Sequence, residues 1–138
     1  LAEVALRVPR GVVCLLSALR AHGIGTQAPF EVWLAIPHRM PVPRLDQPTV
    51  RAVRMSGPAL TEGIDRMLVD GVEVPVFNAA KTVADCFKYR NKIGLDVALE
   101  ALHDGWAGRK LTMDALWHYA TMNRVANVMR PYLESITA

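Results

Sequence analysis

The chain has 138 residues, with 16 Lys and Arg against 13 Asp and Glu, so its formal net charge is +3. Hydrophobic residues make up 51% and charged residues 21%, a composition that excludes intrinsic disorder and fits a single folded domain over residues 1–138. No apolar run approaches the roughly 20 residues that a membrane-spanning helix needs, so no membrane partner is expected.

The first residues predict helices. Leu1, Val4 and Val8 have helical spacing, and the apolar residues of Val12–Arg20 predict a second helix. The start at Leu1 has neither the basic residues nor the long apolar core of a signal peptide. Because the chain opens inside a predicted helix without an initiator Met, we expect it to be part of a longer protein.

The middle of the chain predicts β-strands. Phe30–Ile36 and Val50–Met55 are rich in β-forming residues. Ile64–Val69 and Val72–Phe77 flank the dipeptide Asp70-Gly71, which is a strong signal for a tight β-hairpin. Arg51 and Arg54 fall on opposite faces of their strand, because side chains alternate along a strand.

From Asn78 onward the sequence predicts helices. Asn78 and Thr112 are suitable N-caps, the apolar residues of Leu95–Trp106 form a helical stripe, and Pro131 must kink or end the last helix. Strands therefore cluster between helices, which predicts an α+β fold. It has a small central sheet containing antiparallel strands, N-terminal helices and a C-terminal group of about four helices.

Metal and thiol chemistry have little support. Cys14 and Cys86 lie among apolar residues of predicted helices, which favours buried, inert thiols in a reducing cytoplasm. We expect neither a metal site nor a cofactor, because the histidines lack the spacing of a metal motif. They are His22, His38, His103 and His118.

A metal-dependent nuclease is the enzyme alternative. Asp70 and Glu73 straddle the predicted hairpin, but Glu73 is followed by Val74-Pro75 and lacks the lysine of an Asp…Glu-x-Lys site. The turn already accounts for Asp70. We therefore predict no catalytic residues and a non-enzymatic role, with a nuclease-like or nucleotide-handling domain as the alternative.

Basic residues are the better functional signal. Residues 1–92 hold twelve Lys and Arg against eight Asp and Glu. Lys81 and Lys88 nearly coincide around a helix at about 100° per residue, which predicts an exposed stripe. Such cations suit nucleic-acid phosphates or an acidic protein surface, with an ordinary solvated surface as the alternative. The predicted binding residues are Arg39, Arg44, Arg51, Arg54, Lys81, Lys88, Arg90 and Lys92.

Phrases along nearly the whole chain carry a family resemblance. They are Pro9–Leu19 with His22-Gly23, Val32–Pro37, Asp70–Val76, Ala80–Phe87, Tyr89–Gly94 and Arg130–Glu134. In these phrases the chain resembles the bacterial AbiEi-type antitoxins. These are transcriptional regulators paired with nucleotidyltransferase-like toxins in abortive-infection and toxin–antitoxin operons.

The resemblance implies a regulator with two parts. An N-terminal winged helix-turn-helix binds operator DNA, and a C-terminal domain counters the toxin. This chain is similar to the C-terminal domain alone, with the winged helix missing. The partners it implies are a nucleotidyltransferase-like toxin and DNA or RNA. A plain oligomerisation module remains a further alternative.

Overall fold

A mixed five-stranded sheet and eight helices make up the α+β fold of residues 1–137, the part of the chain that the computed structural model describes. The helices are α1 (Ala2–Arg7), α2 (Leu15–Ala21), α3 (Pro58–Thr61), α4 (Ala79–Lys88), α5 (Arg90–Ile93), α6 (Leu95–Ala107), α7 (Met113–Met122) and α8 (Ala126–Ile136). The strands are β1 (Val12–Val13), β2 (Val32–Pro37), β3 (Val50–Met55), β4 (Ile64–Val69) and β5 (Val72–Phe77).

The strand order of the sheet is β3-β2-β1-β5-β4. β2 runs parallel to β3, and β1 runs parallel to β5, whereas β1 is antiparallel to β2 and β4 is antiparallel to β5. The predicted antiparallel pairs are therefore present within a mixed sheet. The C-terminal ends of β2 and β3 lie at the same end of the sheet as the start of β1. β5 ends at the opposite end of the sheet, where α4 begins.

The central strands of the sheet are buried on both faces. Alternating side chains of β1, β2, β3 and β5 pack on one face against helices α2, α4, α6, α7 and α8. The other face packs against α1 and against Met40 and Leu45 of the loop between β2 and β3. Because this loop supplies apolar side chains to the core, its position is coupled to that of the sheet.

Local signals are confirmed where they were strongest. Asp70 and Gly71 have φ values of 50° and 78°, and they join Val69 to its partner Val72 in the hairpin. Two positive φ values are what a two-residue hairpin turn of type I′ requires. The side chains of Asn78 and Thr112 accept hydrogen bonds from the backbone N–H groups of residues 81 and 115, as N-caps do.

Two predictions about element bounds were wrong. The helix predicted from Val12 begins at Leu15, because Val12 and Val13 form β1, which fills the gap between β2 and β5. Phe30 lies outside β2 and is 88% exposed. For Pro131 a kink or a helix end was predicted; α8 continues through it to Ile136, so the proline does not end the helix, and the kink stays a prediction.

The C-terminal group has five helices within residues 1–137, because the one-turn helix α5 separates α4 from α6. None of the helices in this part of the chain is both long enough and apolar enough to span a membrane.

Candidate binding surface and a buried ion pair

The loop between β2 and β3, residues 38–49, carries two predicted cations into solvent. Arg39 and Arg44 are both exposed. Neither makes an ion pair or a side-chain hydrogen bond within residues 1–137. We call residues 38–49 the arginine loop. Its two unengaged guanidinium groups keep their donors free for an external anion.

Arg54 on β3 holds the start of this loop in place. Its Nη1 atom donates to the carbonyl oxygens of His38 and Met40, each at 2.7 Å, and lies 3.3 Å from that of Pro37. The parallel pairing of β2 with β3 places Arg54 beside the end of β2, which makes these bonds possible. Arg54 therefore orders the loop instead of projecting freely.

A groove of about 520 Å³ opens beside the first residues of the arginine loop. Its lining residues are Arg10, Pro37, His38, Arg39, Met40 and Pro41. Arg10 was not among the predicted binding residues, because it is remote in sequence from the loop. The phrase Pro9-Arg10-Gly11 before a buried apolar run was its only local signal.

Arg51 lies on the opposite face of β3, as predicted. Its guanidinium carbon is 4.9 Å from the centre of the Trp33 ring, on the neighbouring strand β2. Stacking of this kind stabilises the cation and covers the aromatic ring. Arg51 thus contributes to packing on the face away from Arg54.

The predicted stripe formed by Lys81 and Lys88 is wrong. Lys88 is exposed, but Lys81 is fully buried at 0% exposure. Helices α2, α6 and α7 surround α4, and nine of its consecutive residues, Ala79–Phe87, are therefore buried. Only the end of α4 emerges into solvent, so Lys81 is removed from the binding residues.

Lys81 instead forms a buried ion pair. Its Nζ atom lies 2.7 Å from Oδ2 of Asp85, one helical turn away, and 3.7 Å from the centre of the Phe77 ring. Asn123 at the end of α7 donates from Nδ2 to the other Asp85 oxygen at 2.7 Å. Asp85 is only 1% exposed. The three polar side chains therefore join α4 to α7 inside the core.

The pair lies in a low-polarity environment. Burial raises the pKa of the Asp85 carboxyl above its ordinary value, while the charge and the hydrogen bond of Lys81 act in the opposite direction. Oδ1 of Asn123 is buried and has no hydrogen-bond partner within residues 1–137. No sequence pattern indicated Asn123, because its role depends on the packing of α7 against α4.

The remaining predicted cations, at the end of α4 and in α5, differ in exposure. Lys88 and Lys92 are exposed, whereas Arg90 is half-buried and its Nη1 atom donates to the carbonyl oxygen of Phe87 at 2.9 Å. Nζ of Lys88 lies 5.7 Å from the centre of the Tyr89 ring. With Lys81 in the core, Lys88 and Lys92 are the predicted lysines of this group that stay exposed.

The predicted burial of both cysteines is confirmed, although Cys14 precedes α2 in extended backbone and does not lie in a helix. Burial raises the pKa of the Cys14 and Cys86 thiols well above the ordinary value. Thiols with raised pKa values are protonated at neutral pH. Because thiolate is the reactive form of cysteine, both thiols are therefore expected to be inert.

We expect Cys14 and Cys86 to resist alkylation by iodoacetamide in the native protein and to react only after unfolding. Mass spectrometry with and without denaturant measures this. Ser56→Cys provides the positive control, because residue 56 is exposed and its new thiol reacts in the folded state. Rapid labelling of either native cysteine would contradict the prediction.

Cys14→Ala is expected to lower the free energy of unfolding by about 1 kcal/mol or more, because it leaves a small cavity in the core.

Metal-ligating residues are not grouped in the described part of the chain. No three His, Cys, Asp or Glu side chains of residues 1–137 lie close enough together to hold a metal ion. Asp70 and Glu73 of the nuclease alternative are exposed at the hairpin.

No protein-family model matches this chain, and the search of curated proteins finds no match either. The AbiEi-type resemblance, the non-enzymatic role and the partners stay predictions.

Proposed function

We propose that this chain is a non-enzymatic, cytoplasmic domain of an AbiEi-type antitoxin and transcriptional regulator, and that it acts by binding an anionic partner. Nucleic acid is the partner that the cations fit best, and the nucleotidyltransferase-like toxin is the protein partner that the resemblance implies. The arginine loop is the proposed contact surface.

The observation that carries this proposal is that Arg54 of β3 is bonded to the arginine loop, whereas the arginines within the loop are free to bind a partner. Arg54 donates to the carbonyl oxygens of His38 and Met40, while Arg39 and Arg44 keep exposed guanidinium groups. Holding a loop in one conformation lowers the entropy lost when it binds a partner. An ordered loop with free arginines is therefore better suited to binding than an ordinary solvated surface.

Charge supports the same conclusion. The arginine loop contains two arginines and one histidine against a single acidic residue, Asp46, which lies two residues after Arg44. Cations in such a segment add their fields, which raises the rate of encounter with an anionic partner and makes binding sensitive to salt. The net charge of +3 for the whole chain understates this local concentration.

Co-expression with the product of the neighbouring gene tests the proposal. We expect the chain to restore growth of cells that express the toxin, and Arg39→Ala/Arg44→Ala to reduce the rescue. Arg66→Ala/Arg109→Ala is the matched control, since both residues are exposed and lie outside the arginine loop.

Co-purification, measured separately, distinguishes direct contact from an effect through nucleic acid. The proposal fails if the chain neither rescues growth, nor binds the toxin, nor binds DNA or RNA. It also fails if the loop and control variants behave alike in every assay.

A further inference from the structure

We propose that the groove beside the arginine loop is a phosphate-binding site for the backbone of nucleic acids. Arg10 and Arg39 are its contact residues, and Arg54 is a positioning residue. The inference rests on the proposed function and deepens it by naming the ligand class and by adding Arg10, which lies outside the loop.

The sheet brings Arg10 to the loop. Val12 of β1 pairs antiparallel with Ala35 of β2, so that Arg10, two residues earlier, is level with Pro37 at the end of β2. Gly11 makes this approach possible. A Cβ atom at residue 11 would lie 2.6 Å from Cδ2 of Leu34, so only glycine lets the backbone pass this close to β2. Arg10 thereby lines the same groove as Arg39.

The groove presents positive groups and no carboxylate. Of its six lining residues two are arginines and one is a histidine, and none is acidic. Backbone carbonyl oxygens at the start of the loop would repel an anion, but those of Pro37, His38 and Met40 face the Arg54 guanidinium. Arg54 thus both holds the start of the loop in place and offsets the negative ends of these carbonyl dipoles.

Phosphate fits this arrangement for a chemical reason. Guanidinium groups bind phosphate oxygens with two parallel N–H bonds, and two such groups lining one groove can hold one phosphate or two successive ones. The volume of about 520 Å³ exceeds what a single phosphate needs and leaves room for the attached sugar. Pro37, Met40 and Pro41 supply apolar surface for that sugar. Contacts of this kind give affinity without reading sequence.

The test is a fluorescence-anisotropy titration of a labelled, mixed-sequence DNA duplex at salt concentrations from about 50 to 200 mM. Arg10→Gln and Arg39→Gln are each expected to weaken binding and to reduce the slope of log affinity against log salt by about 1. Arg66→Gln is the matched control. It removes the same charge from an exposed position on β4, at the end of the sheet opposite β3. Circular dichroism verifies that each variant is folded.

Arg54→Lys separates positioning from contact. The shorter lysine keeps the charge but withdraws the donor from the three carbonyl oxygens. We therefore expect weaker DNA binding for Arg54→Lys, together with faster proteolysis of the loop at Arg39 and Arg44. Arg39→Lys loses the two-bond contact with phosphate, so it is expected to weaken DNA binding without faster proteolysis of the loop. Unchanged binding and unchanged proteolysis in Arg54→Lys would overturn the positioning role.

Failure of the phosphate-site inference and failure of the proposed function give different results. If the duplex binds and Arg10→Gln and Arg39→Gln behave like Arg66→Gln, the groove is not the phosphate site, and the proposed function stands on another surface. If no duplex binds at low salt, the phosphate inference is overturned. Toxin co-purification then decides the proposed function independently.

Discussion

Lys81→Met is expected to lower the free energy of unfolding by about 3–5 kcal/mol, which is the typical cost of removing one partner from a buried ion pair. The variant leaves the Asp85 carboxylate in the core with Asn123 as its remaining side-chain donor. Methionine matches the shape of the lysine stem, so the loss arises from the unpaired charge and not from a cavity. Urea denaturation measures the change.

Lys88→Met is the matched control for this prediction. It makes the same substitution on the same helix, but at an exposed residue, where changes usually stay within about 0.5 kcal/mol. Lys81→Met/Asp85→Asn removes both charges. Because the two side chains are in contact, this double variant is expected to be more stable than the sum of the two single losses predicts, by about 0.5–3 kcal/mol. Equal losses for Lys81→Met and Lys88→Met would show that the pair is unimportant.

The pH dependence of Lys81→Met follows from the same pair. Burial raises the pKa of Asp85, and loss of Lys81 removes the charge that opposes this rise. The folded state then holds the Asp85 proton more tightly than the unfolded chain does. Stability therefore falls as pH rises from the ordinary pKa of an aspartate through the raised pKa of the folded state. The difference in the free energy of unfolding between the wild type and Lys81→Met is therefore expected to shrink on acidification. Urea titrations at a series of pH values measure it, and a difference that grows would contradict this sign.

Reversing both exposed charges of the arginine loop, in Arg39→Glu/Arg44→Glu, is expected to weaken DNA binding at least about a hundredfold. The two new carboxylates face phosphates, and close like charges cost several kcal/mol. About 3 kcal/mol corresponds to a hundredfold change in affinity. Folding is expected to be unaffected, because neither side chain makes a hydrogen bond or ion pair within residues 1–137.

A second reversal locates the binding surface. Lys88→Glu/Lys92→Glu makes the same total charge change at the exposed end of α4 and in the following helix α5. We expect a smaller effect there, since Lys81 is buried and Arg90 is engaged with the Phe87 carbonyl. Both variants are compared in the anisotropy titration at one low salt concentration. A larger loss in the α4 variant would move the contact surface from the loop to that helix.

Several elements could be predicted from short stretches of sequence. The hairpin at Asp70-Gly71 follows from the need for two positive φ values, and the caps at Asn78 and Thr112 follow from side chains that reach nearby N–H groups. These features depend on residues close in the chain, so their signals survive without tertiary context. The α+β class followed in the same way from the order of the predicted elements.

The candidate site was only partly predictable. Arg39 and Arg44 were found because proline-rich, polar loops lie at the surface. Arg10 was missed, since its place beside the loop depends on the antiparallel pairing of β1 with β2. β1 itself was misassigned to a helix, because two apolar residues before an apolar helix cannot be told from its first turn.

Local sequence thus determined the hairpin, the helix caps and the presence of a basic loop, since each is decided by groups a few residues apart. Only the tertiary structure decided which cations meet solvent. Lys81 and Lys88 have nearly the same direction on α4, yet α2, α6 and α7 enclose the first and leave the second free. Helical periodicity describes one helix alone, whereas burial depends on every element packed around it.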